Sequence, residues 1–224
     1  MKINIPNDWQ GVTLREFQAI TQLFKEADTS NDVKTYELEC ALISTLSGED
    51  MDEIMSLTRS SHNHIMNQLD FLSSPVDAKI RTRAKVNGRR YYFEKNARKI
   101  TGGQWVTIMH FLEDEEKVDA NLHNLLACFA YPIKWFRAKY VPEAHNQIAE
   151  DMLDLPVTFV KPLTDFFLSD YQRYVMRSLA YLEMSARGLK RKAEKELARS
   201  SHVTDGSTQS TDLQTEDMTL DRTT

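Results

Sequence analysis

Two cysteines in 224 residues, Cys40 and Cys128, are too few for a disulfide framework or a zinc module. Seven glycines and six prolines argue against collagen-like, propeller-like and loop-dominated folds. The longest unbroken apolar run, Leu125 to Tyr131, falls far short of the ~20 residues a membrane-spanning helix needs. The opening Met1-Lys2-Ile3-Asn4-Ile5-Pro6-Asn7 lacks the apolar segment of a secretion signal, so a cytoplasmic location is expected. A Gly-Lys-Ser/Thr phosphate loop, a Gly-x-Ser-x-Gly elbow and a His-Glu-x-x-His zinc helix are all missing. What remains is an ordinary globular composition, 41% hydrophobic and 27% charged, with a chain long enough to bury its own core.

The charge is unevenly spread. The chain carries a net charge of −5, yet Lys79 to Lys99 holds nine basic residues and one acid, Glu94. Arg187 to Arg199 holds six bases against two acids, and the last 25 residues hold five acids against one base. Such segregation points to charged contact surfaces.

Most of the chain has helical periodicity. Thr13 and Glu16 have the spacing of a capping box, and Val12 and Phe17 that of the accompanying hydrophobic staple. Leu14, Phe17, Ile20 and Phe24 then share one helix face. A second helix over roughly 34–46 ends at Gly48, and shorter ones follow near 50–57 and 60–72. The same opening recurs later, with Thr101 and Gln104 as the box and Ile100 and Trp105 as the staple. VTLREFQAITQLF at 12–24 aligns with ITGGQWVTIMHFL at 100–112, and further similarities follow. They read as a duplicated helical unit, or as chance likeness between amphipathic helices. A helix over about 117–131 should end at Pro132, followed by an irregular stretch to Pro142. A helix near 143–153 precedes Pro156, which suits a first helical turn. A long helix is expected from about Ser169 toward Leu197, with Pro162 bending or restarting what comes before it.

Between the two helical blocks the period changes to two. Lys79, Arg81, Arg83 and Lys85 alternate with Ile80, Thr82, Ala84 and Val86; Asn87-Gly88 follows, then Arg89-Arg90-Tyr91-Tyr92-Phe93. This pattern predicts a β-hairpin with a tight turn. Its cations, with the aromatic run expected on the opposite face, can grip nucleic-acid phosphates, dock an acidic protein, or simply solvate an edge strand.

Other clusters favour plain structural roles. His62 and His64 are two apart and point to different sides of a helix, so exposed or capping roles are expected for them. Cys40 and Cys128 lie on apolar helix faces and read as core residues. Glu49, Asp50, Asp52 and Glu53 sit where a helix begins, where the macrodipole favours acids. Gly102-Gly103 reads as a helix entry. Trp9, Trp105, Trp135, Phe136 and Tyr140 are candidates to line an apolar groove, Trp135 and Phe136 foremost.

One set of residues carries a resemblance. Ile5-Pro6-Asn7-Asp8-Trp9 leads into Thr13-Leu14-Arg15-Glu16-Phe17; Ile100-Thr101-Gly102-Gly103-Gln104-Trp105 stands at the centre. Asn121-Leu122-His123, Tyr131-Pro132 and Leu155-Pro156-Val157 before Phe166-Phe167-Leu168 follow. Over most of 1–185 the chain resembles the small helical assembly proteins of tailed bacteriophages called tail assembly chaperones. The resemblance implies a non-enzymatic role in building a phage particle, in the cytoplasm of the infected bacterial host, with virion structural components as the alternative. The Ser/Thr-rich C-terminus is not part of the shared pattern.

The expected fold is therefore mainly α: a first helical unit at 1–76, a basic hairpin insert at 77–99, a second helical unit at 100–199 with a long C-terminal helix, and a disordered tail at 200–224. Lys79, Arg81, Arg83, Lys85, Arg89, Arg90, Trp135 and Phe136 are the candidate partner-binding residues. The expected partners are other phage structural or tail proteins, with nucleic acid through the hairpin as the alternative. Neither catalytic residues, nor a metal, nor a cofactor are expected.

Overall fold

Thr13 opens the first helix as the sequence predicts. In the computed structural model the Glu16 backbone N–H donates to Thr13 Oγ1 at 3.3 Å, and the Thr13 N–H donates to Glu16 Oε2 at 2.7 Å. This box starts α1 (Leu14–Glu26). Asn31 caps α2 (Asp32–Ser47), which stops at Gly48 in the left-handed region, φ 73°. Asp50 caps the short α3 (Met51–Met55), so the acids there serve a helix start. Thr58 caps α4 (Arg59–Gln68), and a 3-10 turn, Leu69–Ser73, closes the block. The structure describes residues 3–27, 30–114, 117–134, 137–138 and 140–204.

The hairpin follows as strands β1 (Arg83–Val86) and β2 (Arg89–Phe93). Asn87 and Gly88 both have positive φ, 49° and 74°, which is what a two-residue turn between right-twisted strands requires. Helix α5 (Gly102–Leu112) opens on the second box: Gln104 N–H to Thr101 Oγ1 at 3.2 Å, and Thr101 N–H to Gln104 Oε1 at 2.8 Å. Helix α6 covers Leu122–Phe129 after a 3-10 turn, Asp119–Asn121.

The next segment departs from expectation. Ala130–Lys134 forms strand β3, where the sequence reading had a helix end and an irregular stretch. It pairs antiparallel with β2, and the two-residue β4 (Arg137–Ala138) pairs with its far end, giving the order β1-β2-β3-β4. Pro132 is tolerated because its position pairs with Tyr91 alone; β4 engages only Ile133 and Lys134. The hairpin is thus part of a sheet shared with the second half of the chain, not a free-standing insert.

Helix α7 (His145–Leu153) precedes α8 (Val157–Thr204). The latter starts where Pro156 predicts a helical turn, but runs on through Pro162 as one helix with the segment expected to begin near Ser169. Proline there removes only one amide from the second turn, and packing of the surrounding apolar residues outweighs that loss. Two compact units result, Met1–Tyr171 and Gln172–Thr224. The second is described only as the remainder of α8 to Thr204. Of the tail at 200–224 expected to be disordered, 200–204 instead continues α8, and the rest lies outside the described residues.

Two apolar clusters hold the first unit together. One is built on Val12, Ile20, Cys40, Ile43, Ile54 and Leu69 from the N-terminal helices. The other joins the inner face of the sheet to α5–α8 through Tyr91, Phe93, Ile108, Leu126, Met152 and Leu163. Phe93 meets Phe159 at 5.1 Å between ring centroids, and Phe129 stacks on Phe167 at 3.7 Å. Helix α1 serves both: Leu14 belongs to the second cluster, Ile20 to the first, and Phe17 touches each. A short backbone bridge seals the junction, with Leu14 N–H to Leu155 O and Val157 N–H to Val12 O, both 2.8 Å.

Both boxes satisfy helix amides that otherwise lack partners. Thr13→Ala and Thr101→Ala should each lower stability by about 1 kcal/mol in urea denaturation, with the m-value unchanged.

Candidate interaction surface

Strand parity divides the hairpin's side chains. Facing pairs in the ladder are Arg83 with Tyr92, Ala84 with Tyr91, Lys85 with Arg90 and Val86 with Arg89. Directly opposed residues lie on one face, so Ala84, Val86, Arg89, Tyr91 and Phe93 face the core. Arg83, Lys85, Arg90 and Tyr92 face outward, continued by Tyr131 and Ile133 of β3. This corrects the expectation that three consecutive aromatics oppose the cations. With a period of two, Tyr92 must join the cation face while Tyr91 and Phe93 turn inward. Lys79 and Arg81 are exposed but precede the strand.

The inner face is tied down by one carboxylate. Asp151 of α7 is 2% exposed. It accepts from Asn87 Nδ2 at 3.2 Å, from Arg89 Nη1 at 2.8 and 3.1 Å, and from the Tyr91 hydroxyl. Asn87 also donates to Asp154 Oδ2 at 2.8 Å, and Arg15 of α1 pairs with Glu150 Oε1 at 2.6 Å. Burial alone would raise the Asp151 carboxyl, but the donations from Tyr91, Arg89 and Asn87 outweigh it and hold it below the ordinary carboxylate value. The same burial and bonding raise the Tyr91 phenol. Arg89, expected to bind a partner, is therefore engaged within the fold.

The outer face is different. Arg83, Lys85 and Arg90 are exposed and have no ion-pair partner among the described residues. They border an open hollow of about 530 Å³ over the Ala84–Tyr91 pair, shared with Tyr92 and Ile133. Along one side runs a file of phenols: Tyr92 to Tyr131 at 6.4 Å and Tyr131 to Tyr140 at 6.1 Å between centroids, all edge-on or tilted. Burial raises the Tyr131 and Tyr140 hydroxyls, so both stay neutral. Sequence reasoning missed Tyr131, Ile133 and Asp151. Trp135 and Phe136, the remaining candidates, lie outside the described residues.

The other aromatic candidates have separate places. Trp9 donates from Nε1 to Ser74 O at 3.0 Å and packs edge-on against Phe17 and Phe71. Trp105 faces Tyr171 at 5.6 Å. Helix α5 leaves Val106 67% and Met109 40% exposed, and Gly102 in front of them is open. Its buried side is held by Gln104 Nε2 donating to Cys128 O at 2.6 Å.

Cys40 and Cys128 are core residues as expected, and burial pushes the Cys128 thiol up to about 12. His62 is buried, contrary to expectation: its Nε2 lies 3.9 Å from Cys40 Sγ and 3.7 Å from Glu39 Oε2. Its ring meets Tyr36 at 4.8 Å, and this packing under α2 outweighs the helical preference of a polar ring for water. His64 stays exposed beside Gln68. Among the described residues, no cluster of three or more His, Cys, Asp or Glu is placed to hold a metal ion. No described helix is long and apolar enough to cross a membrane.

Comparison of the chain with protein-family models, with curated proteins and with solved structures finds no match.

Removing the Asp151 carboxylate leaves the buried Tyr91 hydroxyl and the Arg89 guanidinium without this acceptor, while Asn87 keeps Asp154. Asp151→Ala should cost about 2 kcal/mol in urea denaturation, against a near-neutral effect for exposed Asp77→Ala. A second effect concerns His145. Both its ring nitrogens are buried without a hydrogen-bond partner among the described residues, and its ring stacks on Phe111. Burial lowers its pKa, so the unfolded chain binds the proton more readily. Stability tied to this ring is full above the ordinary imidazole value and falls as pH drops through the folded value. His145→Phe should flatten the stability loss measured between pH 7 and pH 5 by chemical denaturation.

Proposed function

We propose that this chain is a non-catalytic bacteriophage assembly protein, a tail assembly chaperone that holds a helical tail protein before it polymerises. The observation that carries the reading is the outward face of α5. Gly102, Val106 and Met109 follow one another at i, i+4 and i+7, so they form one stripe along a helix of about 16 Å. Val106 is two-thirds exposed, and Met109 accepts a hydrogen bond at its sulfur from Tyr171 at 3.1 Å. His110 and Glu113 lie at the stripe's far end. An apolar stripe with a charged border is the surface that an amphipathic client helix recognises through anchors of the same spacing.

The helix is held in place from behind. The Thr101–Gln104 box fixes its start, Gln104 ties it to α6, and Ile108 is buried in the core. A preformed helix face needs little ordering on binding, which favours capture of a client that is itself unassembled. The residues that open this helix, Ile100 to Trp105, are also those that carry the resemblance to the phage proteins. A client of this kind places the chain in the cytoplasm of the infected host during assembly.

Co-expression with the tail proteins of the same phage tests the reading. The chain should co-purify with one of them. Val106→Asp should reduce recovery by about tenfold without lowering the melting temperature, since this side chain is two-thirds exposed. Equal recovery with the variant, or no tail protein recovered by the wild type, contradicts it.

A further inference from the structure

We propose that the outer face of the sheet is a second docking site, which receives an extended acidic polypeptide segment of a partner. The site consists of Arg83, Lys85 and Arg90 around the hollow, with Tyr92 and Ile133 on its walls. The inference does not depend on the apolar face of α5.

Charge is the first argument. The hairpin's inward-facing cation Arg89 is neutralised by Asp151, and Lys99 lies 3.8 Å from the buried Glu94. The three outward cations share one small surface with no acid paired to them among the described residues. Like charges brought together this way repel, and a bound anion relieves that repulsion.

Spacing is the second. Arg83 and Lys85 are two residues apart on one strand, so their attachment points are separated by about 6.7 Å. An extended peptide repeats its same-face side chains at the same distance. Carboxylates at alternate positions therefore meet Arg83 and Lys85 in step, with Arg90, opposite Lys85, reaching the second of them.

The third argument separates a peptide from a nucleic-acid strand. Single-stranded nucleic acid needs aromatic faces open for stacking. Here Tyr92, Tyr131 and Tyr140 pack against one another edge-on or tilted at 6.1 to 6.4 Å and are half-buried. The rings meet one another at an angle and do not present a row of parallel faces on which successive bases could stack. Ile133 adds an apolar wall, which suits a polypeptide with an aliphatic or threonine side chain beside its carboxylates.

The test uses fluorescence anisotropy on the full chain with three labelled probes at low salt: a decapeptide of alternating Glu and Thr, the same peptide with Gln for Glu, and a 20-nucleotide oligothymidine. The Glu-Thr peptide should bind, and the Gln-Thr peptide should bind at least about tenfold more weakly. Arg83→Glu with Arg90→Glu should reduce binding by a similar factor, while Lys161→Glu on α8 leaves it unchanged. In the wild type, bound Glu-Thr peptide should also protect Lys85 from acetylation while Lys161 stays reactive, which reads the site without any variant. Tighter binding of oligothymidine than of the Glu-Thr peptide assigns the surface to nucleic acid and overturns the proposal. So does equal binding of the two peptides, or an acetylation pattern that the peptide does not change.

Discussion

A single buried carboxylate decides how the hairpin sits on the helices. Strand alternation sends Arg89 and Tyr91 to the inner face, the turn brings Asn87 beside them, and all three donate to Asp151. A charge this deeply buried is tolerated only when its lone pairs are filled by good donors. That requirement fixes the register of the turn against α7, because a slip of one residue would present Gly88 and Arg90 instead and turn Tyr91 to water. Phe93 then falls against Phe159, and the sheet closes over the first turns of α8. The aromatic packing contributes burial, and the donors to Asp151 add directional constraints to it.

The same parity explains why a basic hairpin yields a cationic face rather than a diffuse positive charge. Of the cations within its strands, the inward-facing one is consumed by the fold. The outward ones, Arg83, Lys85 and Arg90, are concentrated beside the hollow. Neutral phenols and Ile133 border them, which lowers the local dielectric and strengthens each charge for an arriving anion. Composition alone, with its net negative charge, would not place such a surface on this protein.

Much of the architecture could be read from residue order. The two capping boxes, the Gly48 stop, the Asn87-Gly88 turn and the core role of both cysteines are local signals, and each is present as expected. The failures are non-local. Ala130-Tyr131-Pro132-Ile133-Lys134 carries a proline that argues against a strand, and only the later pairing of β4 with Ile133 and Lys134 shows why it is harmless. Asp151 sits in an amphipathic helix, where an acid normally marks the solvent side; its burial depends on donors sixty residues earlier. His62 is buried because α2 brings Tyr36, Glu39 and Cys40 over it, which its own helix does not announce. Of the candidate contact residues, the outward cations were legible from alternation. The separation of Tyr92 from Tyr91 and Phe93 was legible too, once period two is applied strictly to the return strand.

The two exposed faces differ in chemistry, and each is anchored to the core from behind. The α5 stripe is apolar and rewards burial by a helix, a slow and area-dependent contact. The sheet face is cationic and acts at a distance through its field, which favours fast encounter and early orientation. Gln104 links the two: it caps α5, is itself buried, and donates to Cys128 O just before the chain enters β3. A shift in the start of α5 would therefore move the backbone that leads into Tyr131 and Ile133. With Asp151 holding the hairpin from the other side, both surfaces are anchored to the core from behind. On the proposed reading, selectivity then rests on complementarity that exists before contact.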